Sequence, residues 1–217
     1  MIAAFTRFDI INFATTQVRR VLLPLLFVIV FGLAVPAGGL PVLVGAAVAV
    51  ASVSYLFQAD ERGLLDTLYA TASVSRRDVV IGRYLTVILY AIVAAVLGIV
   101  VSLVGDVIDH HSFGWPVLAT ALLGAFVVIA IGVSAQLPFY FALGFTKARP
   151  LMFIPIMLVG GAGVVAIQLG VLKGVGGDIV SWTVNNPAID AIGLAAGIAL
   201  LVFSASIAVA RYTRREL

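Results

Sequence analysis

The side chains that could do chemistry are few and gathered in three places. Asp106, Asp109, His110 and His111 stand close together, just ahead of Ser112-Phe-Gly. Carboxylates and imidazoles at that spacing could hold a divalent metal or exchange protons. Between two apolar stretches, a run this short reads more simply as a solvated turn. Gln136 and Gln168 are the only large polar side chains inside long apolar stretches, with Ser52, Ser54, Ser102, Thr120 and Ser134 as small ones. Amides and hydroxyls can bond across helices, but they do not titrate. The third place is Phe57–Leu85, which carries eight of the chain's 13 basic and 10 acidic residues. No Gly-x-x-x-x-Gly-Lys-[Ser/Thr] is present to cradle a nucleotide's phosphates. Gly174-Val-Gly-Gly177 lacks the lysine and reads as a loop.

The elements that position these residues are set by composition. Of 217 residues, 63% are hydrophobic and 11% charged, against a usual charged fraction of about 25%. A chain this apolar has too little polar surface to face water all round, which argues for an all-α integral membrane protein. A disordered chain and a disulfide-stapled domain are excluded by the scarcity of charge and the absence of cysteine. Thirteen basic residues against ten acids are too thin a surplus for a nucleic-acid partner, and the sequence gives no reason to expect a cofactor or metal in this chain.

A bilayer core about 30 Å thick takes roughly 20 apolar residues of helix. Charge-free stretches occur at Val21–Val35, Val42–Phe57, Tyr84–Val104, Trp115–Phe145, Leu151–Leu172 and Ala191–Ala210. Six transmembrane helices are expected. The first two are short and joined by Pro36-Ala-Gly-Gly-Leu-Pro41, so they read as a hairpin or as one re-entrant segment. With Arg19 and Arg20 ahead and Val35-Pro-Ala37 behind, the first also has the shape of a secretory leader, but the twenty mixed residues before it favour a retained span.

Orientation follows from basic residues in short loops. Arg7, Arg19, Arg20, Arg62, Arg76, Arg77, Arg83, Lys147, Arg149, Arg211, Arg214 and Arg215 all fall on one side of a six-span plan. Only Lys173 falls on the other, with Asp106, Asp109, Asp178 and Asp190. Both termini are therefore expected in the cytoplasm. Eleven arginines among thirteen basic residues, in an Ala/Val/Gly-rich chain, point to a GC-rich bacterial genome. The spans hold no embedded carboxylate, which counts against a proton- or sodium-coupled carrier. Gly193-x-x-x-Gly197 is a candidate for close helix approach, within the chain or between chains.

Two segments stand outside the spans. Residues 1–20 place Phe5, Phe8, Ile11, Ala14 and Val18 three or four apart among polar positions, the pattern of a helix lying in the interface. Within 58–83, Leu64, Leu65, Leu68, Tyr69 and Ala72 recur at helical spacing. A break at Ala72–Ser75 follows, and Ser75 with Asp78 three residues on makes a capping-box-like start to another helix. Taken alone, this is either a partner-binding knob or a loop resting its leucines on lipid.

The run Phe57-x-x-Asp-Glu, a leucine- and tyrosine-bearing helix, then Val74-Ser-Arg-Arg-x-Val-Val-x-x-Arg-Tyr-Leu85 resembles the short six-helix permeases of type-2 ATP-binding-cassette exporters. One departure is Ser73, where the family often has proline. The resemblance implies a single permease domain over 1–217 with a coupling segment at 58–83 that docks on a separate cytoplasmic ATPase subunit. Leu64, Leu65, Leu68 and Tyr69 would be apolar anchors on that partner, and Arg76 and Arg77 a charged rim. Asp60 and Glu61 would pair with the partner's basic groups or with Arg83. ATP and Mg would be bound by the partner, so the chain itself would be no enzyme. A second permease chain, identical or not, would complete a plasma-membrane complex exporting hydrophobic or amphipathic cargo such as drugs, peptides or lipids. A non-transporting scaffold using the same knob, or a secondary carrier or channel, are the other readings.

Overall fold

The computed structural model describes residues 2–16, 18–34, 39–63, 74–108, 114–152 and 186–214, and among them every regular element is helical. The elements are α1 (Ile2–Thr16), α2 (Val18–Ala34), α3 (Leu40–Gly63), α4 (Arg76–Ile108), α5 (Trp115–Leu143), the single turn α6 (Phe145–Ala148) continued by a 3-10 turn at Arg149–Met152, and α7 (Pro187–Thr213). Their starts carry local signals. Ser75 caps α4, and Pro116 and Pro187 occupy the first turns of α5 and α7, where a missing N–H costs nothing. At the end of α5, Gly144 takes φ 78° and its N–H reaches Tyr140 O at 2.9 Å, so the chain turns and restarts at once as α6.

Four helices among the described residues are long and apolar enough to cross a membrane: Leu40–Glu61, Arg76–Ile108, Trp115–Leu143 and Asp190–Thr213. The chain is membrane-embedded. The 17 residues of α2 are not among these four, and the expected span Leu151–Leu172 lies almost wholly outside the described residues. So does the first half of the turn expected at Pro36–Pro41. The helix expected to start at Ser75 and run through Arg83 and Tyr84 into the third span does so, as one element from Arg76 to Ile108, while the short helix expected at Leu64–Ala72 lies outside the described residues. At 33 residues α4 is about 50 Å long, well beyond the roughly 30 Å apolar core, so its N-terminal turns form a rigid stem continuous with the span.

At the centre of the bundle lies α3, with 61% of its most apolar window buried against 17% for α7. It packs on α2, α4 and α5, while α7 packs mainly on α5. Val42, Ala46, Ala49, Val50, Val53, Leu56 and Phe57 form its buried stripe. The α3–α4 crossing is close because each helix offers a glycine. A Cβ on Gly98 would meet Pro41 O and Val42 Cα at 2.7 Å, and one on Gly45 would meet Ala94 O at 2.6 Å. Both obstacles are backbone, so neither position has room for a side chain. The expected small-residue pair on the last span behaves differently. Gly197 faces the Phe126 ring of α5 within the same chain, and Gly193 has ordinary room beside Leu123.

The first helix also departs from its expected face. Phe5 and Asp9 turn inward and are buried, while Phe8 and Ile11 look outward. Val18 begins α2 instead of extending α1. The helix thus docks one edge on α4 and offers another to lipid.

Candidate functional site

Leu64, Leu65, Leu68 and Tyr69 lie outside the described residues, within 64–73. The site is therefore built from the two stems that carry that segment, the end of α3 and the start of α4. Ser75 Oγ accepts the Asp78 N–H at 3.1 Å, and Ser75 O accepts the Val79 N–H at 3.1 Å. The cap satisfies donors that no helical carbonyl can reach, with Asp78 favourably placed at the positive helix end.

Eight residues past Ser75, Arg83 turns into the bundle and is only 1% exposed. One guanidinium nitrogen donates to Asp9 Oδ1 of α1 at 2.5 Å and the other to Asp60 Oδ2 of α3. The group also lies 5.3 Å from the ring centre of Phe57 and 6.0 Å from that of Phe5. A planar fork can satisfy two carboxylates on two different helices at once, which a lysine's single point of charge does less well. Three helices are thereby pinned at one point. Both carboxylates bond the same guanidinium, so the loss of the cation breaks two ion pairs and the loss of either acid only one.

Glu61, the neighbour of Asp60, is exposed and points elsewhere. Its carboxylate accepts the Thr146 N–H at 3.1 Å and the Thr146 hydroxyl at 2.6 Å. An anion at the first turn of α6 suits the helix dipole and ties α3 to the corner between α5 and α6. Of the three residues expected to form ion pairs, the structure brings Asp60 and Arg83 together and sends Glu61 to a helix start.

Arg76 donates from Nη1 to Tyr212 O at 3.1 Å and Thr213 O at 3.0 Å, with the guanidinium 5.8 Å from the Tyr212 ring centre. These carbonyls belong to the last turn of α7, where the helical ladder runs out; the Arg214 N–H also reaches Tyr212 O. The start of α4 is thus fastened to the end of α7. Arg77, beside it, is exposed. Behind these contacts Phe57 stacks on Tyr140 at 4.9 Å and meets Phe141 edge-on at 5.0 Å, and Phe141 lies 5.2 Å from Tyr212.

A second junction lies one residue past Arg83. Pro138 within α5 has no N–H, so the carbonyl of Ser134 loses its helical partner. Ser204 Oγ of α7 donates to that carbonyl at 3.0 Å. Tyr84 OH lies 2.7 Å from Ser204 Oγ, and because the serine proton is committed to Ser134, the tyrosine is the donor. Away from water a proline notch needs such repair. Ser204→Ala should cost about 1–3 kcal/mol, since it strands both the Ser134 carbonyl and the Tyr84 hydroxyl. Tyr84→Phe should cost clearly less, because Ser204 still serves Ser134. Thermal melting of the two variants in detergent measures the gap; equal losses would contradict the relay.

The small hydroxyls of the spans mostly bond their own helices, as Ser52 Oγ does to Val48 O at 2.8 Å. Gln136 is buried on α5, and Gln168 lies outside the described residues. So do Asp109, His110 and His111, while Asp106 is on α4; among the described residues no three potential metal ligands gather. The sequence reading passed over Asp9. Its signal was the one acid of α1, one helical turn after Phe5 and so on the same side of the helix. The Tyr84–Ser204 contact spans 120 residues, and local spacing gave it no signal.

The model of the ABC-2 family transporter proteins matches residues 9–212, from Asp9 in α1 to Tyr212 in the last turn of α7. No curated protein and no solved structure gives a match. The match takes in every residue of the junction except Phe5 and Thr213, which lie just outside its two ends: this chain is a membrane-embedded permease subunit of the ABC-2 transporter family.

Proposed function

We propose that the chain is the transmembrane half of an ATP-driven exporter, one permease domain over 1–217 with six spans and both termini in the cytoplasm of a bacterial plasma membrane. A separate ATPase subunit binds ATP and Mg, and this chain performs no hydrolysis of its own. Two permease copies, identical or paired with a related chain, enclose a path for hydrophobic or amphipathic cargo. Leu64, Leu65, Leu68 and Tyr69 seat the segment 58–83 on the ATPase, with Arg77 exposed at its rim. Arg76, engaged at the end of α7, acts as a transmitter beside its neighbour.

One observation carries this reading. Both stems of the segment are fastened to helices that are remote in sequence: α3 and α4 to α1 through Asp60, Arg83 and Asp9, α4 to α7 through Arg76, and α3 to α6 through Glu61. A solvated loop needs no such fastening. A push on the segment would be delivered to most of the bundle as rigid-body movement, because packed helices shift between discrete arrangements and do not deform continuously.

Orientation is the first test. The chain has no cysteine, so single cysteines report cleanly. Asp109→Cys and Asp178→Cys should react with a membrane-impermeant thiol reagent in intact cells. Asp66→Cys and Lys147→Cys should react only once the membrane is opened. Labelling at Asp66 from outside would overturn the orientation and the coupling role together. The purified chain alone should also hydrolyse no ATP above background.

A further inference from the structure

A groove of about 340 Å³ runs between α5 and α7, lined by Pro138, Phe139, Ala142, Phe203, Ile207 and Arg211, with Ser134 and Ser204 at its deep end. Its walls are apolar, and Phe139 and Phe203 at its lips are exposed, so it opens sideways, towards lipid in a membrane. The notch that Pro138 makes in α5 gives it depth. One turn of helix about 10 Å across encloses roughly 420 Å³, so the groove is too small to seat another helix. Its volume lies within the about 300–1,000 Å³ of small-ligand sites.

Two features give the groove chemical polarity. Arg211 stands at one end, in the last turn of α7, exposed and on the side proposed as cytoplasmic. Ser134 Oγ, at the other end, is buried and has no hydrogen-bond partner among the described residues. Seven residues of α7 separate Ser204 from Arg211, about 10 Å along the axis. A cation at the headgroup level and an apolar trough beneath it match an amphiphile that enters phosphate-last.

We propose that this groove is a binding site for an anionic phospholipid of the cytoplasmic leaflet, its phosphate on Arg211 and one acyl chain along Ile207, Phe203 and Pro138. The assignment of leaflet rests on the orientation proposed above; the binding itself does not. Lipid in the groove lies directly against the Ser134–Ser204 hydrogen bond and so touches the repair of the proline notch.

Native mass spectrometry of the full chain released from detergent, with dioleoyl phosphatidylglycerol or dioleoyl phosphatidylcholine added, tests the site without any ATPase or transport. Wild type should retain phosphatidylglycerol at least several-fold better than phosphatidylcholine. Arg211→Gln should abolish that preference while leaving phosphatidylcholine retention unchanged. Ala142→Trp, which fills the trough, should reduce retention of both lipids several-fold, with an unchanged elution volume as folding control. Inorganic phosphate and glycerol 3-phosphate should not displace the lipid. Undiminished preference in Arg211→Gln, undiminished retention in a folded Ala142→Trp, or displacement by free phosphate would each overturn the proposal. Thiol labelling that reversed the orientation would move the site to the other leaflet and leave these binding results standing.

Discussion

Arg83→Ala should destabilise the purified permease by about 3–5 kcal/mol, while Asp9→Asn and Asp60→Asn should each cost clearly less. The reason lies in the stoichiometry of the buried cluster, with two carboxylates on one guanidinium and the arginine and Asp9 almost wholly removed from solvent. Removing one member of a buried ion pair strands the charge left behind, and the penalty is that of an uncompensated buried ion. Without Arg83 the buried Asp9 carboxylate is such an ion, and Asp60 loses its bond to the guanidinium as well. Without one aspartate there remains a one-to-one pair, and the asparagine still offers a carbonyl oxygen to the arginine. Asp9 Oδ2 has no hydrogen-bond partner among the described residues, so an amide there forfeits no bond. Thermal melting in detergent across the three variants gives the order. An Arg83→Ala protein as stable as Asp9→Asn would show that the cluster is not closed to water.

Arg83→Lys separates stability from geometry. It keeps one positive charge but replaces a fork that spans two helices with a single ammonium. Much of the stability should return. The rigid link between α1 and α3 should not, so this variant should bind the ATPase normally while altering how the permease changes its hydrolysis rate.

Span positions were legible because membrane helices announce themselves by composition. The start of α5 at Trp115 and the apolar run within α7 follow from the lack of charge alone. The start of α4 was legible by a different signal. Arg76, Arg77, Asp78 and Arg83 look like a loop to any scale of hydropathy, but Ser75 with Asp78 reads as a helix cap, and Val79, Val80, Gly82, Tyr84 and Val87 supply the buried face that carries the helix from there into the span. Arg83 read as a cytoplasmic charge with Asp60 and Glu61 as possible partners; it pairs with Asp60 but is also among the fully buried side chains. Its acids come from positions 9 and 60, and no local spacing relates three residues on three helices. The close α3–α4 crossing was missed for a similar reason. Gly45 and Gly98 are far apart in sequence, whereas Gly193-x-x-x-Gly197 catches the eye and meets side chains, not backbone. Local pattern finds elements; partners separated by dozens of residues are fixed by packing.

The central claim is that the segment between α3 and α4 seats an ATPase and that its stems carry the resulting movement. An interfacial float and a docking helix both need apolar residues, so truncating one leucine does not separate them. Introducing a charge does. If Leu68 and Tyr69 enter a groove on the ATPase, Leu68→Glu or Tyr69→Glu buries an unpaired carboxylate, at a cost of order a few kcal/mol. That weakens the contact by roughly ten- to a thousand-fold. If they rest on lipid headgroups, the glutamate turns to water with little consequence. The decisive measurement is recovery of the ATPase subunit by each affinity-tagged variant in detergent, alongside gel filtration to show that the permease remains folded. The account predicts loss of the ATPase from both variants with an unchanged permease elution volume. Full recovery of the ATPase by both would contradict it.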